Sequence, residues 1–540
     1  MNRMQWTTLG VAVALSTLLA ACGGGSSDAS SAASTASSTT STSSTSNTTT
    51  SATSTATNVT ASGIVTAFGS VIVNGTEYAV DGSTTVVNGD LDDASSSYSA
   101  LKVGMTVEVM TASSGYASLV RYTSAVSGEV DAIDTANSTL TVLGQKVVVS
   151  SGTSFAGSKT SGASTVAITA LNNVSVGDYV VVYGYESCTT STNTTSCTGD
   201  ATQLLASLVY EPTVAGVYRT VGYATDISTL SDSFAIGGLT VSYTTTGNSA
   251  TACSPSPCSI ADGNYVEVRS STAPTSSSGA LTLAASVIET NSRSPVLISG
   301  ATVSIQGPVA NLDVSVHAFS LQGVTINGSA LAATVAALTA NEIVEVTGTV
   351  TSSGSVTATA ITVENQATFS LTAPLTAESA AADTLVVLGQ TFTVNSSTRF
   401  IDESQEVQTF NLSNFATVLS IGDHLIVSGY AGASGNIATR VERIPTPSTA
   451  GVSVQGVVSA DSTSADTLTI GGVTVDLDSS TTLTYPGSGS STSVAAFIDA
   501  IAVGSTVVNA VGTAGSTSGT MTASSAGLFS ANCGWASNGN

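Results

Sequence analysis

The chain has 540 residues, of which only 9% are charged, with 35 acidic and 11 basic side chains and a formal net charge of −24. This balance excludes nucleic acid as an expected partner, because binding to phosphates requires clustered lysine and arginine side chains. Aromatic residues make up 5% of the chain, which together with short aliphatic runs favours several small hydrophobic cores over one large core.

The first residues carry the pattern of an exported lipoprotein. Arg3 is followed by an apolar run at 7–19, which is too short to span a bilayer and has the length of a signal-peptide core. The run leads into Leu-Ala-Ala-Cys22, which resembles the lipobox of bacterial lipoproteins, where the cysteine is acylated. We expect 1–21 to be a lipoprotein signal peptide and Cys22 to be the lipidation site. The alternative is an ordinary secretory signal followed by a stray cysteine.

The residues after Cys22 indicate where the protein resides. Gly23 follows the cysteine instead of aspartate, and by the sorting rule of Gram-negative lipoproteins this resemblance implies a lipid anchor in the outer membrane. The protein would lie on the periplasmic or the cell-surface face. Residues 22–60 consist almost wholly of Ser, Thr, Ala and Gly, and without an apolar face to bury they are predicted to form a flexible linker.

The cysteines other than Cys22 form two local pairs and one remainder. Cys188 and Cys197 flank a polar loop, and Cys253 and Cys258 flank Ser-Pro-Ser-Pro. Outside the cytoplasm such pairs are expected to be disulfides. A metal site is the alternative, but neither loop contains histidine. Cys533 is expected to be a free thiol or to bond another chain.

From residue 61 onward, one hairpin pattern recurs six times. In its first copy, at 71–78, two β-prone runs flank Asn74-Gly75, a dipeptide that tolerates the positive φ angles of a two-residue type I′ turn. The further copies are centred on Leu143-Gly144, Gly237-Gly238, Gln322-Gly323, Leu388-Gly389 and Gly471-Gly472.

The inward face of each hairpin follows from the alternation of side chains along a strand. A two-residue turn pairs the residues directly before and after it, so the faces of both strands can be assigned. The inward residues are Leu468, Ile470, Val473, Val475 and Leu477 in the last copy, and Phe234, Ile236, Leu239, Val241 and Tyr243 in the third.

Two further motifs accompany the hairpin. A strand containing Gly-x-Val or a variant precedes it, and a strand that begins at a glycine follows it. The first motif starts at Gly63, Gly128, Gly222, Gly307 and Gly456, with Ala373 in the fifth copy; the second has Gly104, Gly177, Gly263, Gly422 and Gly504, with Asn341 in the fourth copy. Apolar residues at helical spacing predict short helices at 331–338 and 494–501.

This order of elements predicts an all-β chain, a tandem array of about six small five-stranded OB-like β-barrels with occasional short helices. A partly open sandwich is the alternative. The hairpins are farther apart than the ~20–50 residues of solenoid repeats, so each unit is expected to have its own core. The predicted repeats are 61–126, 127–211, 212–292, 303–365, 367–445 and 451–525, followed by a tail at 526–540.

The combination of Gly-x-Val, the x-Gly hairpin and Gly-Asp-x-Val resembles a domain-of-unknown-function family that occurs in several copies in lipoproteins of Gram-negative bacteria. The resemblance covers most of residues 61–525. It implies a fold and an envelope location, and it supplies no catalytic residue.

Isolated polar residues give little support for catalysis. His317 and His424 are expected at the surface. His317 lies in a turn before a hairpin, and sister repeats have other residue types at the position of His424. Asp178 and Asp423 directly follow Gly177 and Gly422, the glycines of the second motif, and are interpreted as turn residues. Two further groups, Asp90, Asp92 and Asp93 and Asp131, Asp134 and Asn137, lack the spacing of an EF-hand loop and indicate weak calcium binding at most.

The sequence therefore predicts an architecture and no chemistry. We expect a non-enzymatic envelope lipoprotein without cofactor or metal, acting as a structural, display or adhesion scaffold that contacts other envelope proteins or glycans. The alternative is a glycan or small-ligand binding module, and a hydrolase is the third possibility. A concentration of tyrosines favours the binding module: Tyr179, Tyr183, Tyr185, Tyr210, Tyr218 and Tyr223.

Overall fold

The structure is a computed structural model that describes most of residues 59–529. The gaps are 69, 112–115, 136, 151, 162–163, 169, 189–201, 246–249, 278, 291–294, 296, 366, 405–408, 447–450, 485–492 and 505. The predicted signal peptide, Cys22, nearly all of the linker and Cys533 therefore lie outside the described residues. The described part is nearly all-β, as predicted, with several small five-stranded closed barrels and few short helices.

The described residues of the first three repeats form strands and, in repeats 1 and 2, one short 3-10 helix each, at Tyr98–Ala100 and Leu171–Asn173. Repeat 1 contains β1 (Val59–Phe68), β2 (Val71–Val73), β3 (Thr76–Tyr78), β4 (Thr85–Asn88), β5 (Asp93–Ser96), β6 (Thr106–Thr111) and β7 (Ala117–Tyr122). Repeat 2 contains β8 (Val126–Asp134), β9 (Thr139–Val142), β10 (Gln145–Val148), β11 (Ser154–Ser161), β12 (Ser164–Ala167), β13 (Tyr179–Cys188) and β14 (Thr202–Glu211). Repeat 3 contains β15 (Tyr218–Tyr223), β16 (Thr225–Ser228), β17 (Ser233–Ile236), β18 (Leu239–Ser242), β19 (Ala252–Ser254), β20 (Tyr265–Ser270), β21 (Thr275–Ser277), β22 (Ala280–Ala284) and β23 (Val287–Thr290).

The last three repeats each add a short α-helix. Repeat 4 contains β24 (Thr302–Pro308), β25 (Ala310–Asp313), β26 (Ala318–Leu321), β27 (Val324–Asn327), α1 (Ala332–Ala337), β28 (Ile343–Val350) and β29 (Val356–Val363). Repeat 5 contains β30 (Phe369–Ser379), β31 (Thr384–Val387), β32 (Gln390–Thr393), β33 (Arg399–Asp402), α2 (Phe415–Val418), β34 (His424–Gly432) and β35 (Gly435–Ile444). Repeat 6 contains β36 (Val452–Ser462), β37 (Thr467–Ile470), β38 (Val473–Asp476), β39 (Thr482–Thr484), α3 (Val494–Asp499), β40 (Val507–Ala514) and β41 (Thr520–Phe529).

Repeat 6 illustrates how a barrel closes. Strand β36 is antiparallel to both β37 and β40, and β37 forms the hairpin with β38. Strand β38 runs parallel to β41, which is antiparallel to β40 and completes the ring. The short strand β39 also lies parallel to β41. This additional strand was not predicted from the sequence. Its counterparts are β4 in repeat 1, β11 in repeat 2, β19 in repeat 3 and β33 in repeat 5.

The hairpins match their predicted geometry. Both turn residues have positive φ in five of the six copies, for example 58° and 84° at Gly471 and Gly472, whereas only Gly237 does so in the third. All five inward residues assigned in the last copy are buried, and in the third copy only Tyr243 is partly exposed. The period-two pattern therefore identified the core face correctly.

The two accompanying motifs meet each other inside every barrel. The backbone N–H of the glycine (asparagine in repeat 4) that begins the second motif donates to the carbonyl oxygen of the third residue of the Gly-x-Val motif. A positive φ is needed at this position; it is 96° at Gly422 and 67° at Asn341, and asparagine tolerates this region. The six bonds join Gly104 to Val65, Gly177 to Val130, Gly263 to Ala224, Asn341 to Val309, Gly422 to Leu375 and Gly504 to Val458.

The expectation that every repeat has a separate core is wrong. One core extends through repeats 2 and 3, and another extends through repeats 5 and 6, whereas repeat 4 has its own. In both pairs that share a core, the first strands of the two repeats are antiparallel neighbours: β8 pairs with β15, and β30 pairs with β36. Strand β1 of repeat 1 instead runs parallel to β24 of repeat 4, and these two repeats keep separate cores.

The hairpin turns also contact neighbouring repeats, although several of their glycines remain exposed. They do so in reciprocal pairs, each turn contacting the partner repeat. Between repeats 2 and 3, the Gly238 N–H donates to the Gly144 carbonyl oxygen at 3.2 Å. Between repeats 5 and 6, Gln390 Nε2 donates to the Gly472 carbonyl oxygen at 2.9 Å. Between repeats 1 and 4, Asn74 Nδ2 donates to Ser304 Oγ and Ser62 Oγ donates to Gln322 Oε1, both at 3.0 Å.

Candidate functional site

A cavity of about 170 Å³ lies where repeats 1, 2, 3 and 4 meet. We call it the junction cavity. Its wall combines charged, hydroxyl, aromatic and aliphatic side chains that come from strands far apart in the sequence. It includes Ser187 and Leu204 of repeat 2, Arg219, Val221, Tyr265 and Glu267 of repeat 3, and Pro308 and Ala310 of repeat 4.

Arg219 is the central charged group of this wall. It lies in β15, is only 3% exposed, and donates from Nε and Nη2 to the two carboxylate oxygens of Glu267 at 3.0 and 2.7 Å. It also donates to the backbone carbonyl of Ser124 and lies 3.4 Å from Asp90 of repeat 1. Burial alone would lower the pKa of Arg219, but the facing carboxylates of Glu267 and Asp90 raise it overall. The guanidinium is therefore a permanently charged link between repeats 1 and 3.

A second arginine extends the same network. Arg269, in β20, donates to Asp92 of repeat 1 at 2.6 Å and to Glu289. Burial raises the pKa of Asp90, and Arg219 opposes that effect. Two carboxylates of the 90–93 run thus face arginines, which leaves them poorly suited to calcium. Across the described ranges of the chain, no group of three or more His, Cys, Asp or Glu side chains is placed to hold a metal ion.

The remaining polar groups at the cavity include buried hydroxyls. Ser187 is 3% exposed, and its Oγ has no hydrogen-bond partner among the described residues. Tyr185 donates its hydroxyl to Gln306 Oε1 of repeat 4 at 3.0 Å. Tyr265 packs edge-to-face on Tyr223, with 5.4 Å between the ring centroids. The hydroxyl oxygens of Ser124 and Ser187 at this cavity are thus both buried, and Tyr223 supports the ring of Tyr265.

The tyrosines singled out by the sequence do not form one exposed platform. Tyr183, Tyr185 and Tyr218 are buried, and Tyr183 packs into the core of repeat 1. Tyr179 packs edge-to-face on Tyr218 at 5.6 Å and donates its hydroxyl to the carbonyl of Val217 at 2.5 Å. Most of these rings therefore contribute to contacts within and between repeats, and only Tyr185 lines the junction cavity.

Another buried polar cluster joins repeats 2, 4 and 5. Gln306 bridges Tyr185 and Glu364 through its amide. Burial and the neighbouring Glu345 raise the pKa of Glu364 to about 7. Burial and Arg440 lower the pKa of Arg399 to about 10, although Arg399 Nη1 still donates to the carbonyl of Gly152 at 2.7 Å.

The isolated residues considered from sequence have mixed outcomes. The turn interpretation is confirmed, because Asp178 Oδ2 accepts the Ser175 N–H at 2.7 Å and Asp423 Oδ2 accepts the Ser420 N–H at 2.9 Å. The surface position expected for His424 is wrong. It is 6% exposed, because it lies between β30 and β35, opposite Pro374 and Ile444. His317, by contrast, is partly exposed in a turn.

The described residues include one of the two predicted disulfides in full. A disulfide joins Cys253 and Cys258, with 5.2 Å between their Cα atoms, which fits the predicted loop pairing. The other predicted pair cannot be followed, because Cys197 lies outside the described residues and Cys188 is described only by its backbone at the end of β13. Within the portion of the chain that the structure covers, no helix is both long and apolar enough to cross a membrane.

Sequence reasoning missed the junction cavity because no motif marks it. Its residues occur in four repeats, and each belongs to a strand whose local pattern is ordinary. The only available signal was the presence of arginine in β-strands of a chain with 11 basic residues, since a buried arginine requires a carboxylate partner.

Comparison with known proteins gives a limited result. No curated protein matches the chain. A family model described as a domain of unknown function, DUF5666, matches residues 58–115, 127–191 and 376–442, which lie in repeats 1, 2 and 5. Three segments of the chain are thus similar to this domain of unknown function, which fits a domain family that occurs in multiple copies.

Proposed function

We propose that this protein is a non-enzymatic scaffold of the bacterial envelope, anchored in the outer membrane by lipid on Cys22. The observation that supports it most is the reciprocal packing of the hairpin turns, which joins repeats 1 and 4, 2 and 3, and 5 and 6. The described residues form one compact unit. A body built in this way resists deformation, as a display or adhesion element requires.

The anchor is proposed from the sequence. The Leu-Ala-Ala-Cys22 motif after a short apolar run and the Ser/Thr-rich linker at 22–60 support a tethered body. Several acyl chains, each contributing about 0.8 kcal/mol per buried CH₂, hold such a protein firmly.

The test is the substitution Cys22→Ser in the full chain. Without the acylated cysteine, we expect the protein to move from the membrane fraction to the soluble fraction with the barrels still folded, as judged by circular dichroism. Cys533→Ser is the matched control and should stay with membranes. A Cys22→Ser protein that still fractionates with membranes would exclude the lipid anchor. A soluble variant that fully restores adhesion to a deletion strain would exclude the display role.

A further inference from the structure

We propose that repeat 4 docks on repeats 1, 2 and 5 through a proton-dependent surface, so that it is held in mildly acidic solution and is released as a folded unit more readily at neutral and alkaline pH. The surface, which we call the docking face, consists of Ser304, Gln306, Glu345 and Glu364. This inference concerns a movement within the body of the protein and does not depend on the lipid anchor or the display role.

The docking face is polar although other repeats cover it. Along β24, alternate residues point into the core of repeat 4, and Ser304 and Gln306 between them point outward. They are nevertheless only 8% and 5% exposed. Asn74 of repeat 1 donates to Ser304 Oγ at 3.0 Å, and Tyr185 of repeat 2 donates to Gln306 Oε1 at 3.0 Å. Repeats 1 and 2 therefore satisfy the outward polar groups of repeat 4.

Two carboxylates lie side by side on the same face. Glu345 of β28 is directly opposite Gln306 in the register. Glu364, just after β29, donates its backbone N–H to the carbonyl of Ile343, two residues before Glu345. Residues two apart on a strand share a face, so Glu345 and Glu364 are diagonal neighbours. Ser304 Oγ also donates to Glu345 Oε1 at 2.7 Å. Docking thus covers a pair of like-charged groups.

The other repeats bring one cation and one phenol to this pair. Among the described residues, the charged and titratable groups that face Glu364 are Glu345 of β28, Arg399 of β33 and Tyr185 of β13. Arg440 of β35 acts on Arg399 from behind. Burial raises the pKa of Tyr185, so its hydroxyl remains a neutral donor. One arginine of repeat 5 therefore faces two carboxylates of repeat 4.

This imbalance couples docking to a proton. Burial and Glu345 raise the pKa of Glu364 from 4.5 to about 7, although Arg399 and a hydrogen bond with Gln306 oppose them. Burial also raises the pKa of Glu345. Once the face is open to water, the pKa of Glu364 should return toward its ordinary value. The docked state then binds a proton that the open state has released, so docking weakens as the pH rises from about 4.5 to 7 and stays weak above that range.

Repeat 4 can open without unfolding, because its hydrophobic core contains residues of this repeat alone. Its strand pairing with repeat 1 is short and joins only Ala61 with Ser304 and Ser62 with Ile305. The remaining bonds to repeats 1 and 2 are single polar contacts. Opening therefore breaks these bonds and exposes no shared core.

The experiment measures hydrogen exchange at single amides of the full chain between about pH 5 and about pH 8, as protection relative to the intrinsic exchange rate at each pH. We expect the amides that join β1 to β24 to lose at least about tenfold in protection across this range. Strands β26 and β27, inside the core of repeat 4, and β34 of repeat 5 should keep their protection.

Two variants identify the group that carries the proton. Glu364→Gln resembles the protonated acid and should keep the amides between β1 and β24 protected at every pH. Glu345→Gln removes the neighbouring negative charge and should make the fall in protection smaller. Asp461→Asn, at an exposed carboxylate of repeat 6, is the control and should behave like the wild type. Circular dichroism checks the folding of each variant, and Glu345→Gln alone decides the outcome if Glu364→Gln does not fold.

Three results would overturn the proposal. The first is protection between β1 and β24 that does not change with pH in the wild-type chain. The second is an undiminished fall in both Glu364→Gln and Glu345→Gln, which would assign the proton to another group. The third is a parallel loss of protection in β26 and β27, which would show that repeat 4 unfolds instead of opening as a unit.

Discussion

Single charged residues at the junctions between repeats link one repeat to another. Arg219, Arg269 and Arg399 each extend from their own repeat to a group in another. In a chain with few basic residues, these arginines are used as internal links and not as surface charges. Breaking a buried pair by removing one partner is far more costly than never having built the pair, so these residues make the repeat arrangement specific.

Glu364 provides a pH-dependent test of this environment. Its pKa in the folded protein is about 7, against an ordinary value of 4.5. Between these two values the folded state retains a proton that the unfolded state has released. The contribution of Glu364 to stability is therefore lost as the pH rises from about 4.5 to 7, and the full penalty applies above that range.

We expect Glu364→Gln to stabilise the protein above pH 7, by roughly 1–3 kcal/mol, and to change little near pH 4. The measurement is the free energy of unfolding in urea between pH 4 and 8.5, taken as the difference from wild type. Asp461→Asn, at an exposed carboxylate of repeat 6, is the control. A Glu364→Gln difference that is the same at every pH would contradict the raised pKa.

At the scale of elements, the hairpin has two roles. Its inward face forms the barrel core, and its turn contacts the partner repeat. Gly472 illustrates both, since its φ is 84° and a Cβ there would lie 2.3 Å from Gln390 Oε1 of repeat 5. The turn must therefore adopt a left-handed conformation and also leave room for its neighbour.

Gly472→Val should destabilise both repeats of this pair. A β-branched residue in the left-handed region costs roughly 1–2 kcal/mol or more, and the added side chain displaces Gln390. Limited proteolysis should then cut within 367–445 and 451–525 sooner than in the wild type. Gly472→Asn, which tolerates positive φ, should have a smaller effect. Unchanged protease resistance in both regions would show that the turn is not under this constraint.

The hairpins and the barrel order were predictable, because period-two alternation and x-Gly turns are local signals. The contacts between repeats were not. Arg219 and Asp90 are distant in sequence, and neither stands in a pattern that indicates the other. His424 was expected at the surface because sister positions vary, but variation within repeats says nothing about what a neighbouring strand covers. The junction cavity escaped prediction for the same reason, since its walls exist only once four repeats are packed.

At the scale of the whole molecule, repeats are joined in pairs rather than arranged as independent beads. Repeats 5 and 6 share one core, and repeat 4 has its own core although β24 pairs with β1. Stability should accordingly be local to the shared cores. Removing a repeat that has a separate core should therefore affect the stability of the other repeats less than removing a repeat that shares its core.

Deletion of repeat 4, 303–365, and deletion of repeat 6, 451–525, separate these two architectures. Without repeat 4, the parallel register of Ala61 with Ser304 and the bond from Asn74 to Ser304 are lost. We expect faster amide exchange in the first strand of repeat 1 while the core of repeats 5 and 6 is unchanged. Without repeat 6, the apolar face that repeat 5 shares with it becomes exposed, so repeat 5 should lose its protection from exchange and proteolysis. Independent beads would tolerate both deletions equally. Equal tolerance, measured by hydrogen exchange resolved along the chain, would therefore refute the paired-core architecture.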